Sequence, residues 1–362
     1  MYTQTGLAAG DNGFMKRTLF ALLFAGLQLL AGTSQAQPLN LGYVSVQHPT
    51  HGMTSFFYPT LAAEAPQRRG PFSLSWAADA PLAPGNGRLI VISHGSGGTP
   101  WVHTDLAREL VLHGFVVVVP THAGDNAADN KTPGPESWKK RPAEVSHAID
   151  VTLAMPRFLD KLDPNKVGVF GGSAGGHTAL SMTGGIWSPA RFRDHCLANI
   201  EADFASCMGF TTRLTGGVLD GAKLWLARRT ISSRFADETP QAHEDPRVKA
   251  VVAMVPFAAD FDPASLATPR VPLGLITAAK DVNQVPRFHI EAIKAACLPR
   301  CTDLMTLPDA GHGAMLSPMP PFEPGSIAEQ LQADPPGFDR AATVPLINKK
   351  IAEFFEKNLL NP

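Results

Sequence analysis

Short apolar runs recur along this chain: RLIVIS (88–93), FVVVVP (115–120), KVGVF (166–170), KAVVAMVPF (249–257) and VPLGLIT (271–277). A strand with one wet face alternates apolar and polar residues, and these runs do not. They belong to strands covered on both faces, with the intervening helices as the cover. Over 101–113, Leu106, Leu110 and Val111 share one helical face, and Gly114 stops the segment. Val145, Ile149 and Leu153 mark a second helix before KVGVF. A shorter run, DLMTLP (303–308), follows, and Ile347, Ile351, Phe354 and Phe355 form the apolar face of a closing helix. Ahead of this region, residues 40–59 alternate as two strands around a His-Pro-Thr-His-Gly turn. The expected fold class is α/β, a mostly parallel central sheet with helices on both faces. Ligands in such sheets bind beyond the carboxyl ends of the strands.

Two segments break the rhythm. Residues 185–248 carry Trp187, Trp225, two cysteines and many charges, and read as an inserted cap. Residues 313–342 are rich in proline and read as a long rim loop. Neither has an internal repeat or a low-complexity run. At the start, Met15-Lys16-Arg17 is basic, Leu19 to Leu30 is apolar and uncharged, and Ser34 and Ala36 occupy the small positions of a cleavage site. The apolar run is well short of the roughly 20 residues that span a bilayer. Residues 1–36 are therefore expected to be a signal peptide, the residues before Met15 an upstream extension, and 37–362 a single exported domain without stable membrane insertion.

A hydrophobic fraction of 44% allows a substantial core. The net charge is −1, and losing Asp11, Lys16 and Arg17 makes it one unit more negative. No basic run favours nucleic acid as a partner. The four cysteines of an exported chain suggest disulfides, and the sequence-local pairs Cys196–Cys207 and Cys297–Cys301 are expected. No CxxC or clustered His/Cys pattern supports a zinc site, and no metal is expected.

Gly171-Gly172-Ser173-Ala174-Gly175 fits the G-x-S-x-G pattern, with a strand before it and a helix after. A residue presented on so sharp a turn has strained dihedrals, and its neighbours must lack side chains or strand and helix collide. Ser173 is the expected nucleophile. A hydroxyl needs a base, and the base needs an orienting carboxylate. His312, between two glycines in LPDAGHGAMLSP after the last strand, is the expected base. Asp281, in LITAAKDVNQVP, is the favoured acid, with Asp260 and Asp262, in VPFAADFDP after the preceding strand, as alternatives. An oxyanion hole needs an N–H from an early loop as well as one at the helix start. His94-Gly95-Ser96-Gly97-Gly98 supplies the first through Ser96, and Ala174 supplies the second. His94 and His122 also follow strands, and His177 lies one helical turn beyond Ser173. His94 is read as supporting the site and His177 as packing.

Together HGSGG, GGSAGG, the Asp281 loop and DAGHG resemble the α/β-hydrolase superfamily. LGYVSV…FFYPT, GPFSLSWAADAPLAPG and THAGDN are similar to exported dienelactone-hydrolase-like proteins related to platelet-activating-factor acetylhydrolases. The resemblance covers most of residues 40–315. It implies an α/β-hydrolase fold and a serine carboxylester hydrolase with no cofactor, with Ser173 and His312 at the family positions; small-molecule esters of short-to-medium acyl chain are the expected substrates. Dienelactone hydrolases proper have cysteine at the position of Ser173. The acetylhydrolases take their acid from the earlier strand, which keeps Asp260 in play. A polyester or aromatic diester hydrolase and a non-catalytic binding protein on the same fold are the alternative readings.

Overall fold

A computed structural model describes residues 1–7, 37–48, 52–209 and 212–361. The basic start, apolar run and cleavage site of the expected leader, and the turn residues Pro49, Thr50 and His51, lie outside the described residues. Residues 39–362 form one compact unit, and residues 1–38 are assigned to a separate one. Among the described residues no helix is long and apolar enough to cross a membrane.

The strands are β1 (Asn40–His48), β2 (Gly52–Thr60), β3 (Ala65–Arg69), β4 (Phe72–Ala78), β5 (Leu89–Ser93), β6 (Val116–Pro120), β7 (Val167–Gly172), β8 (Val248–Met254), β9 (Leu273–Ala278) and β10 (Thr302–Leu307). They form one sheet in the order β10-β9-β8-β7-β5-β6-β2-β1-β4-β3. From β6 to β10 every neighbouring pair is parallel. β2 joins β6 antiparallel and pairs with β1 from Asn40↔Thr60 to His48↔Gly52, as the alternating pattern of 40–59 required. The β3–β4 hairpin was not legible in the sequence. β3 reads APQRR, a polar edge strand containing a proline, and carries no apolar periodicity.

The helices are α1 (Thr104–Leu112), α2 (Pro135–Ala154), α3 (Ala174–Met182), α4 (Pro189–Asn199), α5 (Phe204–Met208), α6 (Asp220–Arg234), α7 (Ile290–Cys297), α8 (Ile327–Gln332) and α9 (Arg340–Leu359). The pleat divides each central strand between two layers. Leu89 and Val91 of β5, with Val116 and Val118 of β6, pack beneath Val145, Ala148 and Ile149 of α2. Ile90 and Ile92, with Val117 and Val119, face Leu106, Leu110 and Val111 of α1 and Ile347, Ile351 and Phe355 of α9. The continuous apolar runs are explained: both faces of each strand are covered.

Boundaries differ from expectation in three places. The helix expected over 101–113 begins as a 3-10 turn, Pro100–His103, before α1. α2 starts at Pro135, well before Val145, with proline at its first turn where a missing N–H costs nothing. The segment 313–342 is not one long loop: it contains α8 and ends inside the first turn of α9, where Asp339 accepts from the Ala342 N–H. Both expected disulfides are formed, Cys196–Cys207 and Cys297–Cys301. Phe355 is fully buried between α9 and the sheet, so Phe355→Ala is expected to lower unfolding stability by about 3–5 kcal/mol in chemical denaturation.

Candidate active site

Strand register brings two distant loops together. Ser93, the last residue of β5, pairs with Gly171 of β7, so the chains leaving the two strands emerge side by side. One is the His94–Gly98 loop and the other is the turn at Ser173. β5 lies between β6 and β7, so the chain winds away from it in both directions, which makes this the switch point of the sheet.

Ser173 sits at φ 56° and ψ −121°, in the left-handed half of backbone space, at the N-terminus of α3. Holding a non-glycine residue there costs on the order of 1–3 kcal/mol and requires over-determined surroundings. Its N–H donates to the carbonyl of Met254, and its carbonyl accepts from the N–H groups of His177 and Phe257. The end of β8 thus clamps the turn from both sides. A Cβ on Gly171 would run into the Gly175 carbonyl, and one on Gly175 into the Ser93 carbonyl. Glycine is required at both positions by this close approach.

Asp281 and His312 follow β9 and β10. The loops that carry them are tied together where Ala279 N–H donates to Leu307 and Lys280 N–H to Ala310. His312 Nδ1 lies 2.7 Å from Asp281 Oδ2, and His312 Nε2 lies 3.1 Å from Ser173 Oγ. The other oxygen of Asp281 accepts from the N–H groups of Asn283 and Gln284, which fixes the plane of the carboxylate. An acceptor facing Nδ1 holds the imidazole as the Nδ1–H tautomer, with the Nε2 lone pair toward the hydroxyl. All three side chains are buried, with Ser173 at 7% exposure and His312 at 6%.

Residues 89–323 match the Alpha/beta hydrolase family. The chain belongs to that family. No curated protein is significantly similar to it.

Within this α/β hydrolase the other candidate acids are engaged elsewhere. Asp260 Oδ2 pairs with His177 Nε2 at 3.0 Å, and both side chains are fully buried. Asp262 caps the 3-10 turn Pro263–Leu266 and faces Arg191 at 3.3 Å. Neither touches His312. His177 is enclosed by the rings of Trp138, Trp187 and Phe261, in keeping with a packing role. His94 donates from Nδ1 to the Gly95 carbonyl at 2.8 Å, and its Nε2 accepts from the His122 N–H. Burial, together with His122 and Arg141, pushes the His94 pKa well below its ordinary value, so the ring is neutral.

Two features escaped the sequence reading. Arg141 of α2 is fully buried and reaches the His94 carbonyl; nothing in the pattern of an amphipathic helix marks one of its arginines as interior. Trp187 and Trp225, grouped together in the sequence, part company: Trp187 is buried, while Trp225 is 64% exposed on α6. His195, Cys196 and Cys207 place potential ligand atoms within 4.8 Å of one another. Both sulfurs are bonded in the disulfide, which removes them as thiolate ligands.

The Asp260–His177 pair predicts a separable phenotype. Asp260→Ala leaves a buried imidazole N–H without its acceptor and is expected to cost about 1–3 kcal/mol in denaturant unfolding. The hydrogen bonds joining Ser173, His312 and Asp281 contain neither residue.

Proposed function

We propose that this protein is a serine carboxylic ester hydrolase for short-to-medium acyl esters, with Ser173 as nucleophile, His312 as general base and acid, and Asp281 as the orienting carboxylate. The observation that carries the reading is the hydrogen-bonded run from Asp281 Oδ2 through the His312 ring to Ser173 Oγ, with the serine held at positive φ. Family membership supports hydrolysis.

In the first step Ser173 Oγ attacks the ester carbonyl carbon while its proton passes to His312 Nε2. The carbonyl π pair moves onto oxygen, and the oxyanion is met by the N–H groups of Ser96 and Ala174. Asp281 stabilises the imidazolium without taking its proton. Collapse of the tetrahedral species breaks the bond to the alcohol oxygen, which leaves with the proton from His312. Water then attacks the acyl-enzyme, giving one proton to His312. The second collapse breaks the bond to Ser173 Oγ, which recovers that proton, and the carboxylic acid departs.

Burial of the reacting groups favours small acyl chains over an extended polymer. We read residues 185–248, which contain α4, α5 and α6, as a cap over this end of the sheet. Asp203 supports that placement. Its Oδ2 accepts from His195 inside the segment at 2.8 Å and from His289, ahead of α7, at 3.1 Å. The two disulfides are compatible with export.

Ser173→Ala is expected to abolish hydrolysis of p-nitrophenyl acetate and butyrate while the circular dichroism spectrum is unchanged; retained activity would refute the assignment. A fluorophosphonate probe should label the wild type and not Ser173→Ala, whereas a silent binding protein would take no label. Asp281→Asn should lower kcat by about ten-thousand-fold through the wrong imidazole tautomer. A larger loss in Asp260→Asn would reverse the choice of acid.

A further inference from the structure

THAGDN (121–126) has no part in the reaction above, yet its aspartate lies directly behind the loop that faces the nucleophile. We propose that Asp125 and Arg141 are positioning residues, a buried clamp that holds the 94–98 loop so that the Ser96 N–H points at the reacting oxygen. The inference rests on the serine-hydrolase reading of Ser173.

Both clamp side chains are inaccessible to solvent, and Arg141 Nη2 lies 2.8 Å from Asp125 Oδ2. Each grips the loop at a different point. Asp125 Oδ1 accepts from the Ser96 hydroxyl at 2.5 Å and from the Gly97 N–H at 3.0 Å. Arg141 Nη1 donates to the His94 carbonyl at 2.5 Å, and its Nε donates to Ser137 on the preceding turn of α2. Three positions of the loop, His94, Ser96 and Gly97, are therefore tied to one ion pair.

The bonds also decide which donors remain. The Gly97 N–H is taken up by Asp125 and the Gly98 N–H by the Gly95 carbonyl. Among the described residues the N–H groups of Gly95 and Ser96 make no hydrogen bond. Gly95 is also where the loop meets the nucleophile, because a Cβ there would stand 3.5 Å from Ser173 Cβ. With its hydroxyl turned to Asp125, Ser96 has only its backbone N–H to offer the oxyanion.

A buried ion pair is weak support for stability, since well-packed apolar residues often do as well. What an apolar pair could not do is accept from Ser96 and Gly97 while donating to the His94 carbonyl. Charge matters too. Burial disfavours an ionised Asp125, but the Arg141 charge, the Ser96 hydroxyl and the Gly97 N–H outweigh it and hold the carboxyl below its usual range. An uncompensated carboxylate so placed would repel the developing oxyanion, and Arg141 cancels it. The polar wall continues through His122, which bridges Ser93 Oγ at 2.8 Å and Glu144 at 2.6 Å.

Steady-state kinetics of the full chain with p-nitrophenyl butyrate test the clamp. Asp125→Asn and Ser96→Ala should each lower kcat by about 10- to 1,000-fold, the range for a lost or misdirected oxyanion donor, with KM changed less than about twofold. Ser96→Ala keeps the N–H and removes only the anchor at an exposed residue, so it decides the matter if Asp125→Asn does not fold. The double variant should lose little more than Asp125→Asn alone, because once the Asp125–Arg141 pair is broken the Ser96 hydroxyl no longer has a fixed anchor to lose. A butylboronic acid, whose tetrahedral adduct on Ser173 places an oxygen in the same hole, should weaken by the factor by which kcat/KM falls. General loosening of the core would not produce that parallel. Full kcat in Ser96→Ala, or additive losses in the double variant, would overturn the clamp and leave Ser173 as nucleophile. Hydrolysis surviving in Ser173→Ala would overturn both.

Discussion

The backbone ladder β5–β7–β8 is the constraint on which the site depends. β7 ends in the turn that carries Ser173; β5 on one side delivers the 94–98 loop, and β8 on the other supplies the carbonyl and N–H groups that hold Ser173 at positive φ. Moving either register by one residue would separate Ser173 from the 94–98 loop or release the strained turn. The strain of the turn is small beside the burial that fixes those strands. Each apolar side chain removed from water contributes roughly 1.5–3 kcal/mol, and β5, β7 and β8 are buried at nearly every position. A sheet of this kind can therefore hold a local conformation that no isolated turn would keep.

The same logic explains what the sequence made legible. Continuous Val/Ile runs identify interior strands because a strand with two covered faces has no polar option. Gly171 and Gly175 identify the turn because neighbouring carbonyls leave no space for a Cβ. Ser173, Asp281 and His312 stood out as candidates because each follows a strand of the parallel array, β7, β9 and the edge strand β10, and the parallel sheet brings those strand ends together. Geometry of the sheet converts order along the chain into proximity.

What was not legible follows from the absence of any such forcing. β3 gains only one pairing edge and little burial, so its composition stays polar. The choice among Asp260, Asp262 and Asp281 could not be read from spacing, since all three follow strands. It depends on the segment around Asp260 being drawn toward the start of the 185–248 region, where the Asp260 carbonyl accepts from the Ser188 N–H and its carboxylate faces His177. Arg141 is the clearest case. Its burial depends on Asp125, sixteen residues earlier and on a different element, and periodicity within a helix carries no information about such a partner.

Two buried acid–base groupings thus flank one hydroxyl, and they differ in what they leave free. The His177 and Asp260 side chains face each other inside an aromatic shell, and neither bonds to the Ser173 hydroxyl. His312 has its Nδ1 side fixed by Asp281 and its Nε2 side open to Ser173. Buried polar groups must be satisfied or they destabilise the fold. At the proposed catalytic imidazole one partner is permanent and the other is the atom that reacts. The loop at 94–98 follows the same rule, with the Gly97 N–H bonded to Asp125, the Gly98 N–H to the Gly95 carbonyl, and the Gly95 and Ser96 N–H groups left over among the described residues. In the proposed mechanism the groups that react are those the fold leaves incompletely satisfied, and at the 94–98 loop the proposed clamp of Asp125 and Arg141 would make part of that selection.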